Sequence, residues 1–192
     1  TGLAIDKQGR VYVIESHTHF RPDGYTGPNG DKIYSFGNPD AKGLATERIT
    51  FAEGFDMGMD LLMGKDGWLY VAERSRISRL RDTDGDLRAD EKQRLIDLQT
   101  TGKYPHNGLS GLCFDAHGNL YFGIGENLGH PYTMIDRGGI KIEGKRGIGG
   151  GVFVGAAIAV IVGPVADLSG IGMDVRVVVV TVGALSGEAI GC

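Results

Sequence analysis

Five histidines and a scatter of carboxylates set the chemistry that this sequence can offer. His106 stands just before the apolar run "GLSGLCF". An imidazole titrates near neutrality, so one at the head of an innermost strand can serve as a general base. A loop histidine capping a backbone carbonyl is the plainer alternative. His17 and His19 lie one residue apart in "ESHTHFRPDGY", a spacing that turns both rings to one side of an extended segment. Two such rings can share a metal with Asp23 or His130, but no third ligand is fixed by spacing and a solvated loop is the preferred reading. Glu15 and Glu73 each stand six residues after a turn glycine, whereas Glu126 comes two residues later than that rule. A repeated acid at a strand end can accept from a neighbouring unit's backbone, which is the reading preferred for Glu73. Glu15 and Glu126 adjoin long loops and are candidates to face a ligand, together with Arg21, Asn107, Asn127 and His130.

One stretch has the rhythm of a cation loop. "DTDGDLRADE" sets Asp82, Asp84, Asp86 and Asp90 at positions 1, 3, 5 and 9, the oxygen spacing of an EF-hand-type calcium site. Leu87 stands where the sharp-turn glycine belongs, and Gln93 where the bidentate glutamate would be. A weak structural calcium site and a solvated acidic turn both remain open. Trp68 follows a turn glycine and reads as packing, while Arg74 and Arg76 can face inward or pair with surface acids.

Elements must hold these residues, and the sequence repeats the elements. "GLAIDKQGRVYVIES" (2–16), "DLLMGKDGWLYVAER" (60–74) and "GLCFDAHGNLYFGIG" (111–125) each join two apolar runs through a polar turn ending in glycine. Such turns are hairpin chemistry, because glycine takes positive φ without a Cβ clash. The turn glycines Gly9, Gly67 and Gly118 recur at intervals of roughly 50–60 residues, close to the repeat of a propeller blade. Further strands follow at "KIYSF" (32–36), "ERITFAEGF" (47–55), "RISRLR" (76–81) and "QRLIDL" (93–98). Four strands per unit predict twisted antiparallel blades; an up-and-down sandwich is the alternative, and only Asp90–Leu98 could support a helical turn. The expected fold is all-β: a partial β-propeller of about two and a half four-stranded blades. Residues 1–150 form the propeller part, with blades at about 1–55, 56–98 and 109–154, and 151–192 form a separate tail.

The long connections, 17–31, 99–108 and about 126–149, all fall on the face where strands b–c and d–a are joined. Long loops on a rigid scaffold are where function concentrates, so the site is expected there, at the channel mouth. The acidic stretch 82–91 belongs to the opposite face.

Composition narrows the partners. A net charge of −4 with no basic run argues against nucleic acid or an anionic membrane surface. Cys113 and Cys192 form no CxxC pair, so a disulfide framework, zinc ribbon or c-type haem attachment within the sequence is not expected. The chain opens "TGLAID", without Met and inside a strand pattern, and shows no signal peptide. It reads as a cut fragment that would leave sheet edges open and would be inactive alone.

With those residues in place, the chain resembles the β-propeller domain of the membrane-bound dehydrogenases of planctomycete-type bacteria. The resembling stretches are "GLAIDKQGRVYVIESHTHFR", "DGWLYVAERSRISRLRDTDGDLRADE" and "HNGLSGLCFDAHGNLYFGIGEN". More distantly it is similar to soluble PQQ-dependent glucose and sugar dehydrogenases, six-bladed propellers that imply a six-bladed parent, and to NHL-type propellers. The first resemblance implies a periplasmic or cell-envelope protein. The second implies oxidation of a sugar or alcohol by hydride transfer to a quinone, with PQQ and calcium as cofactors and His106 as the base. Here the spacing from His106 to Gly111 is longer than in that family, and "GEN" replaces its Gly-Asp ending. The family's cofactor-contacting arginines would lie in blades beyond this sequence. An NHL-type propeller binding a glycan or a protein is the non-enzymatic alternative.

From Gly147 onward the grammar changes, with no Asn, Gln, His, Lys, Tyr or Trp to the end. Three accounts stay open: a membrane span over 147–166, through which alone this sequence would reach a bilayer, a buried strand at "VRVVVVTVG", or a lost reading frame near Phe153.

Overall fold

The computed structural model describes residues 2–19, 21–103, 108–125, 127, 130–145, 151–155 and 177–179. Among them the chain is all-β, with fourteen strands and no helix. Blade 1 is a meander of β1 (Leu3–Ile5), β2 (Val11–Glu15), β3 (Asp31–Pro39) and β4 (Ala45–Phe55), antiparallel and in sequential order. Blade 2 repeats it with β5 (Gly58–Met63), β6 (Leu69–Glu73), β7 (Arg76–Arg81) and β8 (Glu91–Thr100). A third sheet opens with β9 (Leu109–Phe114) and β10 (Leu120–Ile124). The architecture is that of a partial β-propeller. Asp90–Leu98, the one stretch with helical potential, falls largely within β8, where backbone pairing with β7 decides its state.

Hairpin turns share one chemistry. Asp6 accepts from the amides of Gln8 and Arg10 at 2.9 and 2.8 Å, and Asp115 from those of His117 and Asn119 at 2.9 and 2.8 Å. Gly9 and Gly118 then close the turns at φ +81° and +86°, a region a side chain would resist. Tyr12 and Tyr121 return from the following strand to donate to the same aspartates at 3.3 Å. In "GKDG" the aspartate has moved, and Asp66 receives the Tyr70 hydroxyl at 2.9 Å instead.

Strand β6 shows how the blades stack. Leu69 and Val71 point into a core with Ile14, Ile33 and Phe51 of blade 1. Tyr70 and Ala72, on the other face, join Leu109, Phe122 and Ile124 of the third sheet. Period-two alternation therefore buries both faces, each large apolar side chain contributing about 1.5–3 kcal/mol. Aspartates clasp successive sheets: Asp31 accepts from the Gly58 amide at 2.6 Å, and Asp60 from the Leu112 amide at 2.8 Å.

The third unit corrects one expectation. Its long b–c connection is not simply a loop at the channel mouth. Residues β11 (Pro131–Asp136) and β12 (Lys141–Lys145) form a hairpin whose β11 pairs with β8, extending blade 2 to six strands. The physical reason is alternation in "PYTMID": Tyr132 and Met134 are buried in the same core as Leu98 and Ile77. Pairing also covers the exposed edge of β8. After it, β13 (Gly151–Gly155) pairs antiparallel with β10, and β14 (Val177–Val179) pairs with β13 in parallel, unlike any blade strand before it. No helix among the described residues is long and apolar enough to cross a membrane. The rest of the tail lies outside the described residues.

Candidate functional site

The b–c connection of blade 1 is built around a buried carboxylate. Asp31 opens β3, is fully buried, and accepts from the backbone amides of His17 and Thr18 at 2.5 and 2.9 Å. It also receives the Thr18 hydroxyl at 2.9 Å, and the Thr18 oxygen in turn accepts from the Met57 amide. With the Gly58 bond, one carboxylate fixes both the loop and the next blade. Charge-assisted bonds of this kind are about twice as strong as neutral ones. Nothing in the sequence marked Asp31, because its partners are main-chain groups brought together only by the fold.

That anchor holds out a polar network. His17 Nε2 lies 3.3 Å from a Glu15 oxygen, and its Nδ1 lies 3.1 Å from the Tyr25 hydroxyl. Arg48, from β4, approaches the same Glu15 oxygen at 3.8 Å and stacks 3.8 Å above the Tyr34 ring. Bonding to His17 is the main cause that holds the Glu15 carboxyl below its ordinary range, with Tyr34 and Arg48 adding to it. Arg21 donates to the Asn29 carbonyl at 2.6 Å and lies 5.8 Å from the Tyr25 ring centre. Residues 17–19 bend rather than run extended, and both nitrogens of His17 are engaged. The expected His17–His19 metal pair is therefore not set up, and His17, His19, Asp23 and His130 form no metal-holding group among the described residues.

The other candidates separate. His106, Asn107 and Glu126 lie outside the described residues. Residues on either side of 104–107 converge on one turn: Arg74 donates to the Gly102 carbonyl, and the Leu109 amide donates to the Arg74 carbonyl at 3.0 Å. Arg74 thus pairs within this turn, while Arg76 pairs with Asp97 at 3.2 Å. Asn127 is not a ligand-facing residue. It is fully buried, and its amide donates to Thr100 Oγ1 at 2.9 Å and to the His130 carbonyl at 2.7 Å, bracing the entry to the β11–β12 hairpin. His130 is exposed there, with Nδ1 3.1 Å from the Thr101 hydroxyl. Glu73 is buried and accepts from the Asp56 amide at 2.8 Å, in the link between blades 1 and 2. Trp68 is packing, with Arg79 and Arg81 above its ring at 4.3 and 4.5 Å.

Residues 2–148 match the family described as Domain of unknown function (DUF7133). The chain belongs to that family. No curated protein matches it significantly. Among solved structures it is similar to a luciferin-regenerating enzyme, at 14% identity and a TM-score of 0.47 over 76% of this chain. It is also similar to a streptogramin B lyase, at 15% identity and a TM-score of 0.38 over 74% of this chain. It spans 45% and 39% of those two chains.

Asp82, Asp84 and Asp86 each offer an oxygen within 4.8 Å of the others, a donor set that fits a hard cation such as calcium. Asp82 already accepts from the amides of Gly85 and Leu87 at 2.7 and 2.8 Å, and Asp90 binds the Thr83 amide and hydroxyl at 2.7 and 2.9 Å, outside the cluster. A quinone bearing carboxylates such as PQQ needs converging cations. The two arginines nearest His17 do not supply them, since Arg48 is held by Glu15 and Tyr34 and Arg21 by Asn29. Among the described residues this loop face offers no cation cluster for that group.

Proposed function

We propose that the blade-1 loop face binds a hydroxyl-bearing small molecule, a sugar or an alcohol, and that the protein oxidises it. The reading rests on the Glu15–His17–Tyr25 chain of hydrogen bonds, held on a rigid, buried Asp31 anchor at the face of the long loops. Preorganised polar groups on a rigid scaffold are what recognition of a neutral polar ligand requires. In this reading His106 takes the hydroxyl proton and hydride passes to a quinone acceptor. PQQ and calcium, and a periplasmic or cell-envelope setting, belong to the same reading and come from the resemblance alone.

A second reading has an observation in its favour. His17 has both ring nitrogens engaged within the loop, which suits a non-enzymatic NHL-type surface that holds a glycan without moving a proton. Purified full-length protein, supplied with PQQ and calcium, should reduce an artificial electron acceptor with at least one sugar or alcohol. His106→Ala should abolish that reduction, on the order of a hundredfold or more. Absence of reduction across the panel, with measurable glycan binding, would establish the second reading instead.

A further inference from the structure

We infer that the cleft between β4 of blade 1 and β7–β8 of blade 2 is a second binding site, for a small carboxylic acid with an apolar body. None of its lining residues belongs to the Glu15–His17–Tyr25 network, so the inference stands apart from the sugar-or-alcohol reading.

The cleft forms where the 82–90 connection of blade 2 leans on β4, the strand of blade 1 farthest from β1. The Ala89 amide donates to the Phe51 carbonyl at 2.8 Å, and Arg88 donates to the Thr50 carbonyl at 3.3 Å. These two bonds tie the connection to β4, and an open cavity of about 430 Å³ lies beside them. That volume falls within the range of small-molecule sites. Its floor is Phe55 and Leu80, and Ala52 and Ala89 add apolar walls.

Two cations line it. Lys92 is exposed, with its ammonium 4.2 Å from the centre of the Phe55 ring. Arg88 is 61% exposed, and its Nε lies 4.0 Å from Asp86, at the limit of an ion pair. Among the described residues the Lys92 ammonium makes no hydrogen bond or ion pair, and Arg88 has one amino nitrogen uncommitted. Glu53, the acid in the lining, is taken by Lys32 at 3.0 Å. Loss of water around the amine is the largest cause lowering Lys92, and Glu73 opposes it without forming an ion pair. A carboxylate beside Lys92 supplies the missing partner, in a bond about twice as strong as a neutral one. The apolar floor selects among anions. A bare phosphate would lose water from its remaining oxygens against Phe55 and Leu80 without regaining bonds, whereas a monoanion can lay an apolar body there.

Titration calorimetry of the full-length protein with benzoate, benzyl alcohol and inorganic phosphate, at low salt, tests the site. Benzoate should bind at least about tenfold more tightly than either of the others. Lys92→Met keeps an apolar stem on Phe55 and removes the charge. It should weaken benzoate by about tenfold, and Lys92→Arg should keep most of the affinity. Arg88→Gln alters a more exposed cation and should cost roughly two- to fivefold. Both charge-removing variants should melt as wild type does. Absence of benzoate binding, equal affinity for benzyl alcohol, or unchanged affinity in both of those variants would each overturn the site. Benzoate and D-glucose should bind independently. Competition between them would move the anion to the loop face and overturn this site too, whereas failure of glucose to bind counts only against the sugar reading.

Discussion

Glu15 and Glu73 occupy the same place in successive hairpins, the last residue of the second strand, yet they live in opposite environments. Glu15 is exposed and meets His17 and Arg48, and its carboxyl is held below the ordinary 4.5. Glu73 is buried, accepts one amide through Oε1, and has no partner for Oε2 among the described residues. Burial, as the largest cause, pushes its carboxyl above the ordinary 4.5 despite the Asp56 bond and the nearby Lys92. Desolvation of Lys92 points the same way, lowering the amine. The difference comes from position: Glu73 is enclosed at the link between blades 1 and 2, where it meets the Asp56 amide, whereas Glu15 stands beside the 17–31 loop and meets His17. One sequence position is therefore buried at a blade junction and exposed and paired beside a loop.

The largest expected effect comes from removing what holds the Glu15 side in place. Asp31→Ala orphans the buried amides of Thr18 and Gly58, together with that of His17. At about 1–3 kcal/mol per unsatisfied buried donor, stability should fall by roughly 3–5 kcal/mol. Denaturant unfolding measures it. A loss near that of Asp60→Ala, which breaks the bonds to the Leu61 and Leu112 amides and should cost about 1–2 kcal/mol, would show that the anchor is not shared between loop and blade.

Next in size is Glu73→Gln, which sharpens the comparison through pH. Because the Glu73 carboxyl titrates above its ordinary 4.5 when folded, the native state binds that proton more tightly than the unfolded chain does. Its contribution is therefore most favourable at low pH and is lost as pH climbs above 4.5. Glutamine keeps an oxygen for the Asp56 amide and has no proton to lose. The variant should match wild type near pH 4 and exceed it by about 1 kcal/mol at pH 8. Melting curves across that range give the answer, and a constant difference would deny that desolvation governs Glu73.

The hairpins that carry both glutamates were legible in the sequence because their signals are local. Aspartate and glycine three apart write the turn, and alternation writes the strand. Glu73 as a backbone acceptor was legible too, from its repeat position alone. Asp31 was not, since its partners at 17, 18 and 58 converge only after two blades pack. Tyr25 escaped for the same reason: it meets His17 only once the 17–31 loop folds back on itself. The β11–β12 hairpin was misjudged as a loop because a strand that leaves its own sheet to pair with β8 has no signature of that destination. Asn127 likewise looked ligand-facing until the hairpin enclosed it.

The smallest effect should belong to Glu15→Gln. The side chain is 45% exposed, and its pairs with His17 and Arg48 are screened by water, so their net worth is that of a surface pair. Stability at neutral pH should change by less than about 0.5 kcal/mol. Any wild-type advantage has the opposite pH sense to that of Glu73: the lowered carboxyl contributes above 4.5 and loses its contribution as pH falls through the depressed folded value. The amide oxygen of glutamine can still accept from His17 Nε2, so the contact between the two side chains survives and sugar affinity should persist. Glu15→Ala removes that acceptor and should weaken binding while leaving the melting temperature nearly unchanged. A drop of several degrees in either variant would mean that Glu15 supports the fold as Glu73 does, and the two positions would no longer be different in kind.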